Sequence, residues 1–182
     1  MALKTNRWLT MCALTLALPS WAGWVRTGEA SAGFAGKGPA GFKIDGKAKD
    51  VALKDDGKVL TIVVRLADLT TGIELRDSHM RDKYLEVANF PVATLAVPLD
   101  AFKVPEDGKS VSGEARGTFS IHGKSKELPF KYSVSRQGDV YTVEGDFDLN
   151  YKDYGISVPN YMGITVKPDI HASTKFQAKK EG

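Results

Sequence analysis

The side chains with the widest chemical range in this chain are three histidines, one cysteine and the carboxylates. His79, His122 and His171 lie 43 and 49 residues apart. That leaves none of the short-range pairing by which helices and ribbons gather a metal ion, and no metal or other cofactor is expected. His122 falls in a turn, where a solvated or capping role is usual, and His171 falls on the polar face or rim of a late strand. Only His79 has an unusual local context. Asp146 and Asp148 alternate along a strand and share a face, an ordinary arrangement for exposed acids. No G-x-S-x-G nucleophile elbow occurs, so serine hydrolysis has no anchor. Gly36-Lys37-Gly38-Pro39-Ala40-Gly41 has the letters of a dinucleotide loop, but alternation and a turn follow it where a helix is required. It reads as a glycine-rich turn between two strands. Gly41 to Ala48 approaches a phosphate loop, yet Ala48 stands where a Ser or Thr must reach magnesium. No catalytic residue is assigned, since spacing alone assembles no acid, base and pocket.

The elements that would position these residues follow from composition. The chain has 182 residues, with 25 Lys plus Arg against 22 Asp plus Glu, a net charge of +3. Residues 1–22 contain Lys4, Arg7, no acid and the single cysteine, Cys12. Lys4 and Arg7 form a basic start, Trp8 to Leu18 is an apolar run of eleven residues, and Ser20-Trp21-Ala22 places small residues before Gly23. This is the make-up of a secretory signal peptide with cleavage expected after Ala22. Eleven apolar residues are about half of the roughly 20 that span a bilayer, so no stable membrane insertion is expected. The remainder, residues 23–182, has 23 bases against 22 acids and no cysteine. That excludes a disulfide framework and thiol chemistry, and makes nonspecific nucleic-acid binding a poor fit. Its length suits one domain with one sizeable core, exported to the periplasm or secreted.

Short alternating runs separated by turn signals fill that domain. Val59 to Leu66 is rich in β-branched residues, and Thr94 to Leu99 is a second such run in which Pro98 marks an edge or bulge. Phe119 and Ile121 share a face, as do Leu128, Phe130, Tyr132 and Val134. Tyr141, Val143, Phe147 and Leu149 line up in the next run, and Ile164, Val166, Ile170, Ala172, Thr174 and Phe176 in the last. Turns fall at Asp55-Asp56-Gly57, Glu106-Asp107-Gly108, His122-Gly123-Lys124 and Gln137-Gly138-Asp139, with glycine supplying the positive φ that tight hairpins need. The pattern predicts an all-β, mainly antiparallel domain, a barrel or a sandwich. One segment departs from it. Met80, Tyr84 and Val87 recur near helical period, which predicts a short helix over 77–86, with Asp77 or Ser78 capping its first turn. This helix would join two strands and cover one mouth of a barrel.

The stretch Thr70-Thr71-Gly72-Ile73-Glu74-Leu75-Arg76-Asp77-Ser78-His79-Met80-Arg81, with Tyr84-Leu85 and Phe90-Pro91 after it, resembles the signature of the YceI-like family. Three further pieces follow in the family's order: Val111-Ser112-Gly113 through Ile121-His122-Gly123, then Leu128-Pro129, then Asp153-Tyr154-Gly155-Ile156. The resemblance covers about residues 23–178. Met80 replaces the family's usual Leu, a swap of similar volume.

The resemblance implies an antiparallel lipocalin-like β-barrel in the periplasm that holds a long apolar molecule noncovalently: a polyisoprenoid, an isoprenoid quinone or a fatty-acyl amide. Its role would be transport, storage or sequestration, without enzymatic activity. A barrel of about eight strands is just wide enough for such a ligand. Its expected lining is Phe119, Ile121, Phe130, Tyr132, Phe147, Tyr154, Ile156 and Val166, with plain core packing as the alternative for each. Arg76, Asp77, His79 and Arg81 are expected to form an ion-pair and hydrogen-bond knot that fixes the helix at the barrel mouth. Contact with a ligand head group is the second reading of these four. The competing functional classes are a stress-related periplasmic protein with an incidental cavity, and an uncharacterised enzyme or metal protein. Monomer and homodimer both remain open.

Overall fold

The computed structural model describes residues 23–161 and 164–181. The expected signal peptide, residues 1–22, lies outside the described residues.

Strand β1 (Gly23–Lys37) is followed by β2 (Lys43–Ala48), β3 (Ala52–Asp55) and β4 (Val59–Arg65). Among the described residues one α-helix, α1 (Glu74–His79), continues into a π-helical turn over Met80–Tyr84. Then come β5 (Val92–Pro98), β6 (Ser110–Ile121), β7 (Lys124–Gln137) and β8 (Val140–Asn150). A small pair, β9 (Asn160–Tyr161) and β10 (Ile164–Thr165), precedes the final strand β11 (Asp169–Glu181). Nine strands form one antiparallel sheet in the order β2-β1-β11-β8-β7-β6-β5-β4-β3, and β9 pairs with β10 apart from it.

That order requires a curled sheet. β2 and β3 are its two ends, yet only residues 49–51 separate them in sequence. A link that short keeps the ends within about 15 Å. The sheet therefore wraps round as an open barrel whose seam runs between β1 and β3. At the seam the Trp24 N–H donates to the Asp55 carboxylate at 2.8 Å, and Arg26 pairs with Asp50 at 3.3 Å. A bulge in β1 makes this possible. The register with β11 shifts between Thr27 and Ala30, with Gly28 at φ 61°. The bend lets residues 32–37 pair with β2 while residues 23–27 run beside β3.

Local sequence explains the hairpins. His122-Gly123 joins β6 to β7 with both residues at positive φ, 53° and 71°, the type I′ geometry that matches strand twist. Gly138-Asp139 joins β7 to β8 with Gly138 at φ 60°. Pro98 ends β5 beyond the β5–β6 ladder, which stops at Ala96, so its missing N–H breaks no bond there.

The barrel interior has two unlike halves. One half is filled by rings: Trp24 meets Tyr141 edge-on at 4.8 Å, and Phe102 meets Tyr132 at 6.4 Å, with Phe130 beside Tyr132 at 6.3 Å. Edge-to-face pairs of this kind add to the burial of the rings themselves. The Tyr132 hydroxyl accepts the Lys103 N–H at 3.1 Å and so ties the 99–109 loop to the plug. Tyr132→Phe removes that acceptor and is expected to cost about 1 kcal/mol. A thermal midpoint lowered by a few degrees, with the fold otherwise intact by circular dichroism, is the result that checks it.

Candidate functional site

The other half of the barrel is hollow. A cavity of about 490 Å³ lies between the curled sheet and the helix. Its walls are side chains that alternation turns inward. Phe34 of β1, Ala172 of β11 and Phe147 of β8 are cross-strand neighbours on one wall. Ile62 and Leu95, partners on β4 and β5, face them with Phe119 of β6. His79, Met80 and Tyr84 of the helical segment cover one side. Phe42, Ile73 and Leu75 line the cavity yet are 54, 52 and 57 % exposed, so they mark its mouth. The polar lining groups include Thr71, Arg76, His79 and Asn160 from the connections around that covering.

The helix is held in place from within its first turn. Asp77 is 5 % exposed, and its N–H already donates to the Ile73 carbonyl at 2.9 Å. It therefore sits inside the helical ladder and cannot cap it, which corrects the expected start. The helix begins three residues earlier, at Glu74, after Ile73, which offers no side-chain cap. The Asp77 carboxylate instead reaches back to the preceding loop. It accepts hydrogen bonds from the Thr70 and Thr71 hydroxyls and from the Thr71 N–H, the last at 2.7 Å. Arg76 donates through Nε to the Thr71 hydroxyl at 2.7 Å and through a second nitrogen to the Thr71 carbonyl at 2.9 Å. Arg81 donates to the Leu69 carbonyl at 3.0 Å. Thr70 and Lys47 exchange backbone hydrogen bonds of 2.9 and 2.8 Å, which fasten the loop to β2.

The expected knot thus exists as hydrogen bonds converging on residues 69–71. No direct ion pair joins Asp77 to Arg76 or Arg81, which corrects the expected ion-pair part. Two threonine hydroxyls and an amide already satisfy the carboxylate, and the guanidiniums go to the Thr71 hydroxyl and the Thr71 and Leu69 carbonyls instead. Burial by itself raises the Asp77 pKa. The hydrogen bonds from Thr70 and Thr71, with the Arg81 charge, outweigh it and hold the carboxyl below its ordinary value.

Of the expected lining residues, Phe119, Ile121, Phe147, Ile156 and Val166 line the cavity. Phe130, Tyr132 and Tyr154 do not. Phe130 and Tyr132 point inward as alternation requires, but they belong to the aromatic plug. Tyr154 packs edge-on against Phe119 at 5.5 Å and supports the wall from behind. Among the four signature residues, Arg76 and His79 line the cavity, whereas Asp77 and Arg81 hold the loop. Sequence reading missed Phe34, Ile44, Leu66 and Leu69. The alternation of Ala32 with Phe34 and of Phe42 with Ile44 was a signal for the first two, and Leu66 closes the apolar run from Val59, while Leu69 stands outside any run.

The remaining chemistry lies elsewhere. His122 is wedged in its turn, 3.2 Å from the Tyr154 carbonyl and 3.3 Å from a Glu86 oxygen, with its ring on Phe90 at 4.7 Å. The separated Phe90-Pro91, His122-Gly123 and Tyr154-Gly155 motifs thus meet in one latch outside the cavity. His171 bonds Asp148 at 2.8 Å on an exposed face, and neither lines the cavity. Burial pushes the Tyr151 and Tyr154 phenols above their ordinary value, with Asp169 and Asp153 adding to it respectively. Both stay protonated at neutral pH, and Tyr151 donates to the Val166 carbonyl at 2.8 Å. Among the described residues, no group of three His, Cys, Asp or Glu side chains is placed to hold a metal ion.

A family model described as the YceI-like domain matches residues 25–178. Solved structures share the fold. A polyisoprenoid binding domain from Saccharophagus degradans, implicated in plant cell wall breakdown, superposes with a TM-score of 0.76 at 16% identity, over 88% of this chain and 99% of that one. BcnA of Burkholderia cenocepacia gives 0.66 at 14% identity, over 82% and 96%. A Campylobacter jejuni YceI protein gives 0.56 at 18% identity, over 76% and 86%. A search of curated proteins finds no match.

Proposed function

Because the chain belongs to the YceI-like domain family, we propose that it is an exported, non-enzymatic carrier that holds a long isoprenoid or similar apolar chain noncovalently. The observation that carries this reading is the cavity of about 490 Å³, walled by apolar side chains inside the barrel. Its size lies within the range of about 300–1,000 Å³ usual for small-molecule sites. A solved relative described as a polyisoprenoid binding domain matches over 88% of this chain, which supports the ligand class.

Each methylene that enters such a cavity leaves water for roughly 0.8 kcal/mol. Lost chain freedom and loop ordering offset much of that gain. Affinity is therefore expected to rise with chain length until the cavity is full and then to level off. Native mass spectrometry with isoprenoid alcohols of increasing length measures this directly. A plateau supports the reading. Absence of any adduct, together with no copurifying hydrophobic species, overturns it.

Export rests on the charge and apolar pattern of residues 1–22. N-terminal sequencing of protein recovered from the periplasm is expected to begin at Gly23. A protein retained in the cytoplasm with Met1 intact would contradict it.

A further inference from the structure

We infer that the cavity mouth docks on an anionic lipid bilayer, so that the ligand passes between membrane and barrel without crossing water. The inference rests on the reading of the cavity as a lipid site, and it concerns a different surface. Phe42, Ile73 and Leu75 are more than half exposed and all line the one mouth. Clustered exposed apolar side chains of this kind mark a contact surface.

The charge around them selects the partner. Phe42 closes the tip of the β1–β2 hairpin, where its N–H donates to the Pro39 carbonyl at 3.1 Å. Directly below the tip, Lys37 and Lys43 are cross-strand partners. The Lys167 N–H donates to the Lys37 carbonyl at 2.7 Å, which brings a third lysine to the same place. All three are exposed. Like charges opposite one another weaken a hairpin, but they suit a surface of phosphate head groups. Glu74 lies between Ile73 and Leu75, Asp45 lies further down β2, and exposed Asp169 follows the β1–β11 register beside Lys37. Arg76 lines the cavity on the same side, so with the three lysines the rim keeps a small excess of positive charge. Apolar side chains flanked by lysines are the composition of an interfacial anchor.

Sedimentation with vesicles tests the inference. The purified protein is expected to sediment with phosphatidylcholine vesicles containing phosphatidylglycerol, less so as salt rises, and not with phosphatidylcholine alone. Combined Lys37→Glu and Lys43→Glu is expected to weaken partitioning by at least about fivefold per lysine. Neither lysine lines the cavity, so this variant takes up an isoprenoid alcohol from detergent as the unaltered protein does. Phe42→Ser is expected to weaken sedimentation as well. No sedimentation with the anionic vesicles overturns the docking surface, as does sedimentation that the lysine changes leave intact. Self-association through the same patch in the absence of lipid, abolished by Phe42→Ser, also overturns it. Uptake from detergent reports on the cavity separately, so failure of docking and failure of the carrier reading are distinguishable.

Discussion

Asp77→Ala is expected to lower stability by about 3 kcal/mol. The change leaves the Thr71 N–H and two threonine hydroxyls without their acceptor in a largely buried place, and removing one partner from a buried polar network is among the costlier substitutions. For a domain of this size that corresponds to a midpoint lowered by roughly 6–12 °C. The effect has a pH signature. The folded Asp77 carboxyl sits below its ordinary value of 3.8. Its contribution is therefore fully present above that value and is lost as pH falls through the lower, folded pKa. The gap in midpoint between the unaltered protein and Asp77→Asn should be largest near neutral pH and should narrow below about pH 4. A midpoint unchanged by both substitutions would show that the loop at 69–71 is held by other means.

Ala172→Phe is expected to abolish most ligand uptake while the fold survives. Ala172 lies between Phe34 and Phe147 across three adjacent strands. It is the small residue in an aromatic row, and the cavity opens over it. A ring placed there displaces about four methylenes of ligand. That forfeits roughly 3 kcal/mol, or about two orders of magnitude in affinity. The added ring fills a void rather than a packed site, so the thermal midpoint should stay within a few degrees. Ala172→Leu should give a smaller loss of the same sign. Undiminished uptake by Ala172→Phe would place the ligand outside this cavity.

Much of this architecture is legible in the chain because a strand has only two faces. Alternation at 128–134 and 141–149 marks which residues point inward, and glycines at 123 and 138 mark where the chain turns. Alternation gives no depth along the barrel axis. Phe119 and Phe130 both point inward, yet one borders the hollow and the other packs against the plug. Strands of 12 and 14 residues run the length of the barrel, so side chains on one face serve both halves. The plug also depends on Trp24 and Phe102, whose contacts are long-range and leave no local pattern. The helix start was obscured for a related reason. Asp77 has a good capping side chain and the right local neighbours, but Thr70 and Thr71 supply donors only once the loop is folded against β2. The family motifs around Phe90, His122 and Tyr154 are far apart in sequence, and only the curled sheet shows that they form one latch.

The central claim is that the hollow half of the barrel is a ligand site. A crystal structure of the protein grown with a long isoprenoid alcohol tests it most directly. Continuous tubular density is expected to run from the mouth at Phe42, Ile73 and Leu75 inward past Phe34 and Phe147, ending before the ring of Tyr132. A barrel that remains empty, or a chain bound only on the outer face of the sheet, would contradict it.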